Sequence, residues 1–229
     1  MVKKHLKSVA TPRTWSVPRK ETVFITRPYP GAHPMLYSMP LNVVMKELIK
    51  CAQTTKEVRY ILKTKQVLVD GVRRQEYKMP VGLMDVVSLS GINEYYRIVL
   101  DNRGKIIAVS ISKEEAVLKP CRVAGKTLVG KDKFQLNLSG GRNLLVPKAD
   151  YAVGDTLLLT LPQQEIKQHL KLEKGMLVYL IGGKHIGETG TVEEIADGKI
   201  RVKTGSATYE TSKQYAFVVG KEKSLVTLK

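Results

Sequence analysis

Cysteine and histidine are scarce in this sequence, and none of them is spaced as a ligand set for a metal. The two cysteines, Cys51 and Cys121, are far apart and neither belongs to a Cys-x-x-Cys pair, which argues against a structural zinc site and a disulfide. The four histidines are scattered as well: His5, His33, His169 and His185. We therefore predict no metal and no cofactor, and we expect Cys51 to be a small core residue.

Long apolar runs are also absent. A run such as Met176–Ile181 is far shorter than the roughly 18 residues that a membrane span needs, and the start Met1–His5 leads into no apolar signal-peptide core. These absences predict a cytosolic protein without a membrane partner. Apolar residues nevertheless make up 43% of the chain, which is enough for folded domains.

Sequence motifs of enzymes are missing too. No Gly-x-Ser-x-Gly elbow occurs. Gly125-Lys126-Thr127 has only the end of a phosphate-binding P-loop, because Pro120 stands where that motif needs its first glycine. We interpret these three residues as a turn. The sequence thus predicts neither an enzyme nor a small-molecule substrate.

Acidic residues are few relative to basic ones, and this imbalance is the strongest compositional signal. The chain has 38 Lys and Arg against 21 Asp and Glu, a net charge of +17 that predicts a polyanionic partner. Residues 1–92 have sixteen basic and six acidic residues, whereas residues 173–229 have nine and seven. We therefore predict the main nucleic-acid contact in the first 92 residues and expect the C-terminal end to contact less RNA, or protein.

Residues 1–40 read as a basic, proline-rich extension. They contain six of the ten prolines and seven basic residues against one acidic residue, with aromatic rings interleaved among the charges. Proline prevents long helices, and basic charge with stacking rings suits RNA backbone and unpaired bases. We expect this arm to be largely mobile in the free protein and ordered on RNA; the alternative is that it packs on its own domain. Its candidate RNA-binding residues are Lys3, Lys4, Lys7, Arg13, Trp15, Arg19 and Lys20.

Residues 41–92 predict two helices and a hairpin. Leu41–Ile49 has apolar residues at i, i+3, i+4, i+7 and i+8, the spacing of an amphipathic helix. Thr54 and Glu57 have the spacing of a capping box, which predicts that a second helix starts there. After Lys65 the apolar period changes to two, and Asp70-Gly71 is a two-residue hairpin signal.

The second predicted helix has one basic face. Lys56, Arg59 and Lys63 point away from the apolar stripe at 100° per residue. We predict that this face and the hairpin bind RNA; the plainer alternative is an ordinary solvated face. The candidate residues are Lys56, Arg59, Lys63, Lys65, Arg73, Arg74 and Lys78.

The rest of the chain predicts β structure. Short strands separated by turn signals fill residues 93–172, which we assign to a central β domain with one short helix after Ser112. Residues 173–229 form a last predicted domain with strands near 176–181, 199–203 and 215–219. The whole chain is therefore predicted to be a multi-domain α+β protein.

Two stretches of the sequence resemble known modules, and three segments resemble one protein family. Leu41–Leu89 resembles the small RNA-binding module of S-four-type domains. Residues 182–192 resemble a KOW motif, which implies an SH3-like barrel in the last domain with a glycine-rich loop: Gly182, Gly183, Lys184, His185, Gly187 and Gly190. Three segments resemble archaeal and eukaryotic small-subunit ribosomal protein four of the "e" class, a likeness that spreads over the whole chain: Lys3–Ala10 with Pro12 and Trp15, Gly31–Pro34, and Met79–Val86.

The resemblance implies a structural component of the small ribosomal subunit with an archaeal-type length. Such a protein would neutralise phosphates of ribosomal RNA, recognise the shape of the folded RNA, and contact neighbouring ribosomal proteins. The alternative is a stand-alone RNA-modifying or transcription-elongation factor that uses the same modules. The long basic arm favours the ribosomal interpretation, because a factor that binds and leaves has little use for it.

Overall fold

The computed structural model describes residues 5–130, 133–147, 150–196, 198–205 and 207–228. The chain divides into two compact units. Unit 1 comprises Met1–Val99 and Lys105–Val117, and unit 2 comprises Leu100–Gly104 and Leu118–Lys229. Both are mostly β-sheet, and the helices described are few and short. The observed structure therefore contains more strand and less helix than the α+β protein that the sequence predicted.

Unit 1 is built on a five-stranded antiparallel sheet in the order β5-β4-β7-β8-β9, with two strand pairs beside it, β1-β2 and β3-β6. Its strands are β1 (Leu6–Lys7), β2 (Phe24–Ile25), β3 (Ser38–Pro40), β4 (Val67–Val69), β5 (Val72–Arg73), β6 (Pro80–Gly82), β7 (Val86–Leu89), β8 (Glu94–Leu100) and β9 (Ile106–Ser110). Its helices are α1 (Leu41–Val43), α2 (Thr55–Thr64) and α3 (Lys113–Ala116), and 3₁₀ turns lie at Ser8–Ala10 and Met35–Tyr37.

The helix predicted over 41–49 is present but irregular. It begins as α1 and continues as a π-helical segment, Val44–Leu48. The apolar stripe of this segment is buried as predicted, since Leu41, Val44 and Met45 are fully enclosed. Cys51 follows it and is partly exposed, so it is not the core residue that we expected; its thiol donates to the Met45 carbonyl at 3.5 Å.

The N-terminal arm is folded into unit 1. Trp15 is completely buried, and its indole Nε1 donates to the Met35 carbonyl at 3.2 Å. Thr14 donates its hydroxyl to the Leu36 carbonyl at 2.6 Å, and its own carbonyl accepts from the Ile106 amide at 2.7 Å. The expectation of a largely mobile arm is therefore replaced by one that packs on its own domain, because a buried tryptophan anchors it.

Unit 2 consists of two five-stranded antiparallel sheets, in the orders β12-β11-β10-β13-β14 and β18-β17-β16-β15-β19. The first sheet contains β10 (Leu118–Leu128), β11 (Phe134–Leu138), β12 (Arg142–Val146), β13 (Thr156–Thr160) and β14 (Ile166–Leu170). The second contains β15 (Leu177–Leu180), β16 (Thr189–Ala196), β17 (Lys199–Thr204), β18 (Ala207–Ser212) and β19 (Ala216–Gly220), with a 3₁₀ turn at Lys213–Tyr215. Each sheet has its own apolar cluster, one around Leu136 and Leu157 and the other around Val178 and Val202.

Three features of the β region differ from the sequence predictions. β8 and β9, which we assigned to the central β domain, continue the sheet of unit 1. Gly125-Lys126-Thr127 lies inside β10 next to a β-bulge and is not a turn. The second sheet of unit 2 is open within the described residues, with β18 and β19 at its edges, so the expected closed barrel is not seen there.

Candidate nucleic-acid interface

Helix α2 starts at a complete capping box, as the sequence predicts. The Thr54 hydroxyl accepts from the Glu57 amide at 3.2 Å, and the Glu57 carboxylate accepts from the amides of Thr54 and Gln53, at 3.4 and 2.8 Å. The Gln53 amide, followed by the Thr54 hydroxyl, holds the pKa of Glu57 below its ordinary value. The first turn of α2 is therefore fixed in place, and with it the direction of the side chains that follow.

The two faces of α2 separate apolar from basic side chains. Val58 and Leu62 are completely buried, whereas Lys56, Arg59 and Lys63 are exposed. None of these three basic side chains has an acidic partner among the described residues. The predicted orientation of the face is thus confirmed, and its charges are unpaired.

The hairpin beside α2 has the predicted turn. β4 and β5 pair in an antiparallel register, and the turn residues Asp70 and Gly71 both have positive φ, 54° and 74°. Positive φ at both positions is the type I′ geometry that matches strand twist in two-residue hairpins. Arg73 extends back to α2, where its Nη2 donates to the Lys63 carbonyl at 3.1 Å. The turn therefore brings an exposed arginine to the end of the basic helix face.

Two more basic residues of this region lie close by. The Arg74 amide donates to the Val67 carbonyl at 3.0 Å, and its side-chain Nε is buried without a hydrogen-bond partner among the described residues. Lys65 follows α2 and is exposed. Lys65 also borders a cleft of about 230 Å³ that is lined mainly by apolar side chains such as Ile61 and Ile92.

Four side chains from three segments form what we term the aromatic–cationic row: Tyr29, Lys78, Tyr77 and Arg59. The Arg59 guanidinium lies 4.3 Å from the Tyr77 ring centroid. The Lys78 ammonium lies 5.5 Å from the Tyr77 centroid and 5.2 Å from that of Tyr29. Tyr77, and to a smaller extent Tyr29, raise the pKa of Lys78. Cations and rings therefore alternate along the row.

Backbone hydrogen bonds assemble this row. The Tyr29 amide donates to the Lys78 carbonyl at 3.0 Å, and the Asn42 amide donates to the Tyr77 carbonyl at 2.9 Å. The segment containing Tyr77 and Lys78 is thus held between the arm and the first helix. Sequence reasoning named Lys78 and Arg59 but missed Tyr77, because no local pattern indicates that these segments meet.

The candidate RNA-binding residues of the arm differ in how far their side chains are exposed to solvent. Lys7, Arg13 and Lys20 are exposed, and Arg19 donates from Nη2 to the Pro12 carbonyl at 3.0 Å. Lys3 and Lys4 lie outside the described residues. Trp15 was predicted to contact RNA, and this prediction is wrong for the present conformation: a completely buried ring has no face to offer a base.

A buried pair that the sequence analysis missed fastens the arm to the sheet. His33 Nε2 lies 3.0 Å from Asp85 Oδ1, and both side chains are largely buried. Asp85 Oδ2 accepts from the Gly82 amide at 2.8 Å. A Cβ at Gly82 would collide with the His33 ring. Only glycine at position 82 therefore leaves room for this contact between arm and domain.

The glycine-rich loop of unit 2 contains four positions at which close approach or positive φ accounts for glycine. A Cβ at Gly182 would collide with the Tyr215 ring, one at Gly187 with the Asp101 carbonyl, and one at Gly190 would lie 2.6 Å from the Lys203 carbonyl oxygen. Gly183 and Gly187 have φ of 86° and 82°. Close approach and positive φ therefore explain why these loop positions are glycine.

The two remaining loop residues face different surroundings. His185 stacks on Tyr209 with ring centroids 3.5 Å apart, whereas Lys184 is exposed. Nearby, two of the three basic side chains of strand β17 have acidic partners on the adjacent strands. Lys199 forms an ion pair with Glu210 at 2.9 Å, and Arg201 with Glu194 at 2.7 Å.

Neither a metal-holding cluster nor a membrane-spanning helix is present among the described residues. No group of three or more His, Cys, Asp or Glu side chains there has the arrangement needed to hold a metal ion. No helix in that part of the chain has both the length and the apolar character needed to cross a membrane.

Comparison with known proteins identifies the family. Residues 92–166 match the model of ribosomal family S4e, and residues 2–36 match the RS4NT domain. Small ribosomal subunit protein eS4 of Methanocaldococcus jannaschii is 40% identical, with 99% of this chain and 98% of that protein covered. Its counterpart in Methanococcus vannielii is 37% identical over the same shares.

A solved structure agrees with these relatives. The crystal structure of 30S ribosomal protein S4e from Thermoplasma acidophilum matches with a TM-score of 0.72 and 27% identity, covering 84% of this chain and 99% of that one. The family match, the full-length similarity and the shared fold lead to one conclusion: the chain belongs to the eS4 family of small ribosomal subunit proteins.

Proposed function

We propose that this chain is a structural protein of the small ribosomal subunit and works in the ribosome, where it supports subunit assembly and translation. The observation that carries the proposal is the similarity to small ribosomal subunit proteins eS4, which runs through 99% of the chain at up to 40% identity among the relatives given above. Its partners are then small-subunit ribosomal RNA and neighbouring ribosomal proteins.

Ribosomal RNA is bound through the exposed cations of unit 1. Lys56, Arg59 and Lys63 on α2 have no acidic partner among the described residues, and Arg73 extends their face. Unpaired cations on a fixed helix neutralise phosphates and release their counterions, while the rigid spacing of the face recognises the shape of folded RNA. Lys7, Arg13 and Lys20 of the arm are also exposed and provide further cations for phosphate contacts.

The finer architecture belongs to the same proposal. Residues 41–92 form an S-four-type RNA-binding module whose sheet is completed by β8 and β9, and residues 1–40 are its basic extension. The predicted central β domain is thereby reduced to residues 118–172, and residues 173–229 are a KOW domain derived from an SH3-like barrel. The capped helix, the hairpin and the glycine loop support these assignments. The chain has no catalytic role in this proposal.

A sucrose gradient of cell extract in high salt tests the proposal. A structural subunit protein stays with the small subunit after the wash, whereas a stand-alone RNA-modifying or transcription-elongation factor is released into the light fractions. The Lys56→Ala, Arg59→Ala and Lys63→Ala triple variant should be released at lower salt than the unaltered chain. Sedimentation of the unaltered chain only in the light fractions would contradict a structural role.

A further inference from the structure

The aromatic–cationic row is exposed to solvent at both of its ends. Tyr29 is 51% exposed, and its ring has Lys78 beside it but no other ring or cation in contact among the described residues. At the other end of the row, the Arg59 guanidinium is exposed above Tyr77. Two flat groups are therefore exposed to solvent: the Tyr29 ring, which has the Lys78 ammonium beside it, and the Arg59 guanidinium, which is itself a cation.

The chemistry of the row favours a base over a phosphate as its main ligand. Every nucleobase has a π-face that stacks on tyrosine or on a guanidinium plane. The row also has a carboxylate next to it, since Glu76 Oε1 accepts from the Lys78 amide at 3.2 Å. A neutral base is indifferent to that negative charge, whereas a phosphate is repelled by it.

We propose that the aromatic–cationic row binds an unpaired nucleotide of RNA, with its base stacked on the exposed ring of Tyr29 next to Lys78. This inference rests on the proposed RNA-binding function and adds to it a class of partner: a single-stranded loop, bulge or end. Bases within a duplex are already stacked on their neighbours and present no free face to a side chain.

The backbone geometry prepares the row for such a ligand. Tyr29 is held to Lys78 by a main-chain hydrogen bond, so the exposed ring is positioned before RNA arrives. A preorganised ring loses little conformational freedom on binding. The site also joins the arm to the helix–hairpin region, so one nucleotide would contact both segments at once.

The chain offers a matched control for the exposed tyrosine. Tyr60 is 66% exposed on α2, and within the described residues no cation lies over its ring and no other ring stacks on it. Replacement of Tyr60 by Leu removes an aromatic side chain that is even more exposed than Tyr29 from the same unit. A general loss of exposed aromatic surface would therefore affect Tyr29→Leu and Tyr60→Leu alike.

The experiment compares two labelled RNAs with the full-length chain by fluorescence anisotropy: a ten-residue oligouridylate and a blunt 16-base-pair duplex. Tyr29→Leu should weaken oligouridylate binding roughly tenfold, the loss expected for one stacked base, and leave duplex binding unchanged. Tyr29→Phe, which keeps the ring, should retain both affinities, and Tyr60→Leu should change neither. Because stacking involves no counterion release, the salt dependence should be the same for all variants.

The outcomes separate this inference from the function on which it rests. An equal loss for both RNAs, or an equal effect of Tyr29→Leu and Tyr60→Leu, overturns the nucleotide site and leaves RNA binding in place. Failure of the unaltered chain to bind either RNA overturns both proposals. Circular dichroism melting of each variant identifies any loss that arises from unfolding.

Discussion

Helix α2 and strand β17 each present three basic side chains to solvent, yet their charges are arranged in opposite ways. On β17, Lys199 and Arg201 form ion pairs with acids of the adjacent strands. On α2, no acidic partner for Lys56, Arg59 or Lys63 exists among the described residues. Equal numbers of exposed cations are thus mostly paired with acids on β17 and unpaired on α2.

The difference follows from the geometry of the two elements. In a sheet, the residue directly opposite is a partner, and Glu194 and Glu210 are the two register neighbours of Arg201. In a helix, partners lie three or four positions away, and none of these positions around Lys56, Arg59 or Lys63 is acidic. Glu57, the one acid of α2, is occupied in the capping box. Unpaired charge on α2 is therefore built into its sequence.

Removal of the unpaired face should have the largest effect. Lys56→Ala, Arg59→Ala and Lys63→Ala together should flatten the log–log salt dependence of RNA binding by roughly 2–3 units, at ~0.7–0.9 per phosphate contact. The fold should survive, because the buried stripe of Val58 and Leu62 is untouched. Filter-binding titrations over a range of salt concentrations measure the slope.

The matched triple variant is Lys199→Ala, Arg201→Ala and Lys203→Ala on β17. It removes the same net charge from a surface where two of the three cations already have acidic partners. Its salt slope should change by less than about one contact. Equal flattening by both triple variants would mean that RNA responds only to total charge, and the comparison between α2 and β17 would then have no meaning for binding.

A change in the hairpin should have the next largest effect. Gly71→Val places a β-branched residue at φ 74°, which costs roughly 1–3 kcal/mol of folding free energy. Gly91→Val is the control, because its φ is outside the left-handed region and an added Cβ would meet nothing closer than Lys65 Cδ at 3.9 Å. Urea unfolding should show a lower midpoint for Gly71→Val alone, and similar midpoints would contradict the turn geometry.

Local rules predicted the parts of the interface that depend on neighbours in sequence. The capping box at Thr54, the burial of one face of α2 and the turn at Asp70-Gly71 all follow from spacing within a few residues. The short helix after Ser112 was predicted on the same basis, and Ser112 does cap it. These elements could be read from the sequence because their hydrogen bonds close within the segment.

The sequence could not predict contacts that join distant segments. Burial of Trp15 depends on carbonyls some twenty residues away, and the aromatic–cationic row needs the arm, α2 and the segment before β6 to meet. Membership of β8 and β9 in the first sheet is likewise a matter of strand pairing, which alternating apolar residues do not specify. These features depend on tertiary packing, and neither the composition of the chain nor the periodicity of its apolar residues specifies which distant segments meet.

A smaller effect is expected from the helix cap. Thr54→Ala should destabilise unit 1 by about 1 kcal/mol, the usual cost of a lost N-cap. Gln53→Ala is the control, since alanine keeps the amide that Glu57 accepts from. Thermal melts should separate the two variants, and equal melting temperatures would show that the hydroxyl contributes nothing.

The same cap predicts a pH dependence. The pKa of folded Glu57 is lowered from its ordinary value of 4.5, chiefly by the Gln53 amide. A carboxyl group whose pKa is lower in the folded state than in the unfolded state stabilises the fold at pH values above its unfolded pKa. This contribution is lost as the pH falls through the folded pKa. The difference in stability between the unaltered chain and Glu57→Gln should therefore be constant near neutral pH and shrink below 4.5. A difference that persists in acid would mean that the charge of Glu57 is not involved.

The smallest expected effect tests the pairing on β17 directly. Glu194→Gln removes the acidic partner of Arg201, whose side chain is already 59% exposed. Exposed ion pairs contribute less than about 1 kcal/mol, so the fold should be nearly as stable as before. If the ion pair with Glu194 keeps Arg201 from phosphates, the release of Arg201 should steepen the log–log salt dependence of RNA binding by at most one contact, ~0.7–0.9.

Lys56→Ala is the reference variant, because Lys56 has no acidic partner to lose and its removal should flatten the slope by the same amount. An unchanged slope for Glu194→Gln would mean that β17 does not reach the RNA at all, and that the position of a cation on the protein matters more than its pairing.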